Sequence, residues 1–292
     1  MRTLARMLLA TCLLFTGWNS ATAQENTAAA MAPPKVLVIS REFVKPGKTG
    51  MVHEKSESNF VQAMAKAKWP THYFAVSALS GRSRVLFLSG YDSFDAWEKD
   101  NMAMKKYPGL MASLDRASVT DGDLLDDYDQ TVATFSEEQS LRPNVDIAHM
   151  RYFEISLFQV KPGHRREWNE LVKMYIAGYQ NSSEVHWATF EVQYGQMDGP
   201  VFIVFSALKS GSEIDQEPSS DKAFREAVGA DGLKKFAELE SSAIASQQTN
   251  LFSFTPSMSY VPDDWTKADP DFWKPKMPAP AAAKKPAEKP AN

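Results

Sequence analysis

Val44-Lys45-Pro46-Gly47 recurs residue for residue as Val160-Lys161-Pro162-Gly163, 116 positions further on. At the same offset Ile39-Ser40 falls on Ile155-Ser156, Glu54 on Glu170, Phe74 on Phe190, Val76 on Val192 and Val85 on Val201. One four-residue match could be chance. A constant offset over nearly fifty residues marks an internal repeat, and the chain divides into a unit at 34–143, a linker at 144–147 and a second unit at 148–262.

Periodicity predicts the same order of elements in each unit. A first strand, 36–44 or 151–160, ends at the Pro-Gly turn. A helix follows, and in the second unit Trp168, Leu171, Val172, Tyr175, Ile176 and Tyr179 form its apolar stripe. In the first unit that stripe is thin, with Val52, Phe60 and Met64. Two strands joined by a glycine-containing turn come next, 72–79 with 84–90 and 186–194 with 200–208. Helical sequence returns over 93–132, broken near Pro108-Gly109 and Asp121-Gly122, and over 219–248. A last strand at 135–141 or 251–261 closes each unit, and Pro256 places it at an edge.

Strand, helix, strand, strand, helix, strand is the split βαβ, ferredoxin-like unit. The first and third strands are apolar on both faces, as in Tyr152, Phe153, Ile155, Leu157 and Phe158, which does not suit a sheet with water on one side. Helices cover one face and the other copy's sheet covers the second. The expected fold is therefore α+β, two ferredoxin-like (βαββαβ) repeats fused as a dimeric α/β barrel with facing antiparallel sheets. A chain fused in this way completes the barrel internally and is expected to be a monomer with an internal pseudo-dimer, with a further oligomer as the alternative.

On the duplication, the element order and the paired Val-Lys-Pro-Gly, the chain resembles the dimeric α/β-barrel superfamily, which includes antibiotic-biosynthesis-type monooxygenases and NIPSNAP-like proteins. The resemblance spans 34–262 and implies a pocket between helices and sheet. It implies no single reaction, because that superfamily holds cofactor-independent oxygenases, haem enzymes, lyases and secreted proteins of other kinds.

The ends of the chain read differently from its body. Arg2 and Arg6, the apolar run Met7 to Phe15, and Ala21-Thr22-Ala23 fit a signal peptide over 1–23 cut before Gln24, so the protein is expected to be exported to a periplasm or the exterior. Cys12, the single cysteine of 292 residues, leaves with it, which excludes a disulfide framework. Residues 24–33 read as a flexible lead-in, and 263–292, rich in Pro, Ala and Lys toward its end, as an extended tail. Between them, 24–273 carries 25 basic and 35 acidic residues, a poor footprint for nucleic acid. The apolar run of the signal is too short to span a membrane.

Chemistry has few candidates. His72 and His186 begin strands whose same-face neighbours are apolar, so each could be a general base or an axial haem ligand, or simply cap a turn. Arg41 and Glu154 interrupt apolar strand faces, as pocket-lining charges or as an ion pair between the copies. Trp168, Tyr175, Trp187 and Phe190 would supply aromatic walls. His53 with Glu54 and Glu57, and His164 with Glu167, read as solvated helix surface, and Asp121 as part of a solvated helix junction. No His/Asp/Glu group has metal-ligand spacing, so no metal is expected, and no cofactor beyond haem as a minor alternative. Phosphate loops and nucleophile elbows are absent. A module binding a small apolar or aromatic ligand is the preferred class, ahead of an oxygenase-like or haem-using enzyme and of a structural envelope protein.

Overall fold

A computed structural model describes residues 30–195 and 199–274. Its strands are β1 (Val36–Val44), β2 (Tyr73–Ala78), β3 (Arg84–Tyr91), β4 (Leu125–Leu141), β5 (Tyr152–Val160), β6 (Trp187–Tyr194), β7 (Val201–Leu208) and β8 (Ile244–Phe254). Its helices are α1 (Met51–Ala67), α2 (Phe94–Met104), α3 (Pro108–Gly122), α4 (Arg165–Gly178), α5 (Glu217–Ala243), α6 (Asp263–Ala268) and α7 (Pro270–Trp273). The segment at 1–23, expected to be a signal peptide, and the end of the tail fall outside the described residues. Among the described residues no helix is long and apolar enough to cross a membrane.

The strands close into one antiparallel barrel in the order β1-β3-β2-β8-β5-β7-β6-β4. Each half contributes its strands in the spatial sequence fourth, first, third, second, and the halves are hydrogen-bonded to one another at β2–β8 and β4–β6. The 116-residue offset carries β1 onto β5 end to end. It also carries the turn that follows: Lys48 N–H donates to the Lys45 carbonyl at 3.0 Å, and His164 N–H to the Lys161 carbonyl at 3.1 Å. Gly47 (φ 79°) and Gly163 (φ 84°) take the left-handed conformation there, which a side chain would resist.

Leu37, Ile39, Leu88, Phe153, Ile155, Phe190, Phe205 and Phe254 fill the barrel interior, and the alternate residues of each strand face the helices. Both faces are covered, which explains the doubly apolar strands. Closure also corrects the edge assignment. β8 ends at Phe254 and Pro256 opens a short 3-10 turn beyond it, so no strand there is an edge. The last strands begin earlier than periodicity suggests, at Leu125 and Ile244. Their first residues, Asp126 to Gln130 and Ser246 to Thr249, are polar and mostly exposed; pairing with β1 and β5 holds them extended.

Helix boundaries follow local chemistry. α1 ends at Lys68 in the left-handed region, one residue before Trp69-Pro70. Ser93 caps α2, its Oγ accepting from the Ala96 N–H at 3.1 Å, and Pro108 stands in the first turn of α3. Gly178 leaves room for α5 to close on α4, since a Cβ at that position would stand 2.3 Å from Phe224 Cδ2.

Three further expectations are corrected. Residues 263–273, assigned to the tail, form α6 and α7, because Trp265 and Trp273 are apolar enough to bury themselves against the barrel mouth. Met31, in the lead-in, pairs with Val145 of the linker, its N–H donating at 3.0 Å. His53, Glu57 and Asp121, expected in solvent, are 2%, 3% and 2% exposed. The inward face of α1 is made of His53, Ser56 and Glu57, with Val52 turned half outward, which is why its apolar stripe is thin.

Candidate functional site

Between α4, α5 and the outer face of β5, β6 and β7 lies a cavity of about 760 Å³. Residues 154, 156 and 158 point into it from β5, because alternate residues of a strand share a face. Glu154, Trp168, Tyr175, His186 and Trp187 all line it, so five residues singled out from the sequence meet in one place.

An aromatic wall forms one side. Tyr175 and Tyr179 are parallel at 6.5 Å, Phe224 of α5 stacks on Tyr179 at 4.8 Å, and Trp187 meets Tyr179 edge-on at 6.2 Å. Tyr179 donates its hydroxyl to Asp221 Oδ1 at 3.0 Å, tying α4 to the first turns of α5. Burial, then the charges of Glu240 and Asp221, pushes the Tyr175 phenol up to about 12, so it stays a neutral donor at physiological pH.

The floor is Trp168, 2% exposed and stacked on Phe202 at 4.8 Å. Its Nε1 donates to Gln139 Oε1 at 3.1 Å, while Gln139 Nε2 donates to Asn169 Oδ1 at 3.1 Å. The Gln139 carbonyl accepts from Trp187 Nε1 at 2.9 Å and Thr189 Oγ1 at 2.7 Å. Gln139 sits where β4 breaks register between Ser136 and Leu141, and this irregularity brings a β4 glutamine beneath an α4 tryptophan. Sequence periodicity does not show Gln139, because a bulge interrupts the alternation that would reveal its face. Replacing Trp168 by Phe keeps the ring packing but leaves a buried amide oxygen unpaired. Urea unfolding should therefore show a loss of about 1–3 kcal/mol, and an unchanged midpoint would remove Gln139 from the support of this floor.

The other candidates fall elsewhere. A second cavity of about 1080 Å³ opens at the barrel mouth, lined by His72, Phe74, Phe190, Phe205, Trp265 and, from its far side, His186 and Trp187. Phe190 points into the barrel and packs against Phe135 and Phe205, each at 5.6 Å. His72 stacks on Tyr260 at 4.7 Å, and burial holds its imidazole below the usual histidine range. Arg41 is on the interior face at the opposite end, in a two-pronged ion pair with Asp129 of the adjacent β4. That pair lies within the first half, between neighbouring strands, rather than between the copies. His186 lies with Nδ1 3.0 Å from the Glu184 carbonyl and Nε2 2.9 Å from the Ala207 carbonyl, so neither ring nitrogen turns a lone pair to the cavity.

No family model matches the chain, and no curated protein matches it. Among solved structures it is similar to a candidate monooxygenase from Fusobacterium nucleatum, at 12% identity and a TM-score of 0.49 over 77% of this chain and 94% of that one. It is also similar to an anthrone oxidase-like protein, at 12% identity and a TM-score of 0.47 over 78% and 94% of the two chains. A mutant chlorite dismutase from Candidatus Nitrospira defluvii gives 9% identity and a TM-score of 0.49 over 81% and 97%.

Proposed function

We propose that the protein binds a small, largely apolar or aromatic organic molecule in the second-half cavity, and that it is an exported protein built from two ferredoxin-like copies. The observation that carries this reading is the convergence of Glu154, Trp168, Tyr175, His186 and Trp187 on one aromatic-walled cavity of about 760 Å³. That volume lies inside the range of ligand pockets, and walls of this kind orient a ligand with few polar groups.

A haem in this cavity would need an axial ligand. Both nitrogens of its one histidine, His186, lie against carbonyl oxygens, so His186 does not fit the role of axial ligand. The same geometry counts against His186 as a general base. His72, the other base candidate, stands in the mouth cavity, apart from the aromatic wall.

The test is a thermal-shift and tryptophan-quenching screen of aromatic and quinoid compounds, with visible absorbance of the purified protein recorded first. Saturable quenching with a raised Tm is expected. Tyr175→Ala and Trp187→Ala should each weaken binding by up to about tenfold, the scale of one lost aromatic contact. His186→Ala should change affinity much less. A Soret band would overturn the haem-free reading, and the lack of any stabilising compound would leave the structural-protein class.

A further inference from the structure

We infer that Glu42, His53, Glu57 and Asp121 form a binding site for one divalent first-row transition-metal ion, between α1, α3 and the outer face of β1. This site is in the first half of the chain and is separate from the cavity proposed above.

Glu42 stands on the outward face of β1, between Val85 of β3 and Tyr128 of β4. His53 and Glu57 lie one helical turn apart on the inward face of α1, and Asp121 comes from the last turn of α3. One nitrogen or oxygen from each of the four lies within 4.8 Å of the others. His53 Nε2 is 3.0 Å from Glu42 Oε2 and 3.5 Å from Asp121 Oδ1. Bonds of about 2.0–2.2 Å in a tetrahedral site place ligand atoms about 3.3–3.6 Å apart, so the most distant pairs must draw in by roughly an ångström for all four to coordinate.

Burial makes the arrangement hard to explain as structure alone. Glu42, His53, Glu57 and Asp121 are 9%, 2%, 3% and 2% exposed. Glu57 Oε1 and Asp121 Oδ1 have no hydrogen-bond partner, and neither has the buried Tyr73 hydroxyl. Carboxylate oxygens this deep without a hydrogen bond are costly unless a cation or a proton neutralises them.

The fold does not require charge at this place. The 116-residue offset carries Glu42 onto Phe158, which packs beneath α4 against Trp168 at 5.2 Å within an apolar cluster that holds no buried charge. An apolar solution to the same packing problem therefore exists in the same chain.

The donor set selects the ion. Three carboxylates and one imidazole suit manganese(II), iron(II) or zinc(II); with no thiolate, copper(I) is disfavoured, and the imidazole nitrogen does not suit calcium, which takes oxygen ligands. The experiment uses the full chain, dialysed against chelator and titrated with manganese(II) followed by spin resonance, and with zinc(II) by calorimetry. About one equivalent per chain is expected with either ion, together with a rise in Tm. Glu57→Gln and Asp121→Asn preserve shape and remove a buried charge. They should fold, by circular dichroism, and bind about a hundredfold more weakly or worse, as loss of a direct ligand should exceed the 10–100-fold cost of losing an outer partner. Tyr175→Phe, in the other half, should bind metal as the wild type does. No stoichiometric uptake of either ion by the chelated wild type would overturn the site, as would wild-type affinity in both variants. If the variants fail to fold, the wild-type stoichiometry and Tm shift decide alone. A failed organic-ligand screen leaves this result unaffected.

Discussion

Expressed alone, residues 34–143 or 148–262 should not give a stable monomer: each half should dimerise or aggregate. The barrel interior belongs to both halves at once. Leu37, Ile39, Val76, Leu86 and Leu88 from the first half are buried in one cluster with Phe153, Ile155, Phe190, Phe205 and Phe254 from the second. Separation returns to water side chains worth about 1.5–3 kcal/mol each when fully buried, and five such residues already match a typical net stability of about 5–15 kcal/mol. Cutting the seams also frees the β2–β8 and β4–β6 ladders, leaving two long unpaired edges beside an apolar sheet face. Mixing the two halves should restore a soluble complex if the seams are specific. Analytical ultracentrifugation of each half decides the matter, and a folded, monodisperse half would contradict the shared-core account.

That shared core was the legible part of the sequence. Doubly apolar strands such as 152–158 and the exact recurrence of Val-Lys-Pro-Gly are short-range signals, and short-range signals survive in a linear reading. The aromatic half of the pocket was legible for the same reason: Trp168 and Tyr175 fall on one helical stripe, and Trp187 begins the strand that faces it. The buried cluster of the first half was not. Its members come from β1, α1 and α3, and no spacing rule links position 42 to 53 and 121. One trace was visible, the weak apolar stripe of α1. Read physically, it means that the helix buries something other than hydrocarbon, and His53 and Glu57, four residues apart, are what it buries. The opposite error arose at 263–273, where a proline-rich context masked two tryptophans able to anchor a chain.

A chain ended after Pro262 should be severely destabilised, whereas one ended after Lys274 should match the full protein in stability. α6 and α7 pack against the barrel mouth with Trp265, which lies 5.5 Å from Phe74, and Trp273, which lies 6.3 Å from Phe254. Trp273 Nε1 also donates to the Ala148 carbonyl at 2.8 Å. Arg151 clamps the segment from the barrel side, pairing with Asp269 and lying over the Phe272 ring at 3.9 Å. Loss of a buried tryptophan costs about 3–5 kcal/mol. The two are in contact with one another at 5.2 Å, so their effects should fall short of additive and sum to about 4–8 kcal/mol. Against ordinary domain stability this is enough to leave a large unfolded fraction at room temperature. The remaining residues, from Pro275 on, carry too little apolar surface by composition to contribute comparably. Guanidinium midpoints of the two truncations separate the cases, and equal midpoints would mean that the tryptophans cover the barrel without holding it. Trp265→Ala in the full chain provides the point version of the test. Because Trp265 also lines the mouth cavity, it should lower the midpoint while leaving ligand binding in the second-half cavity intact.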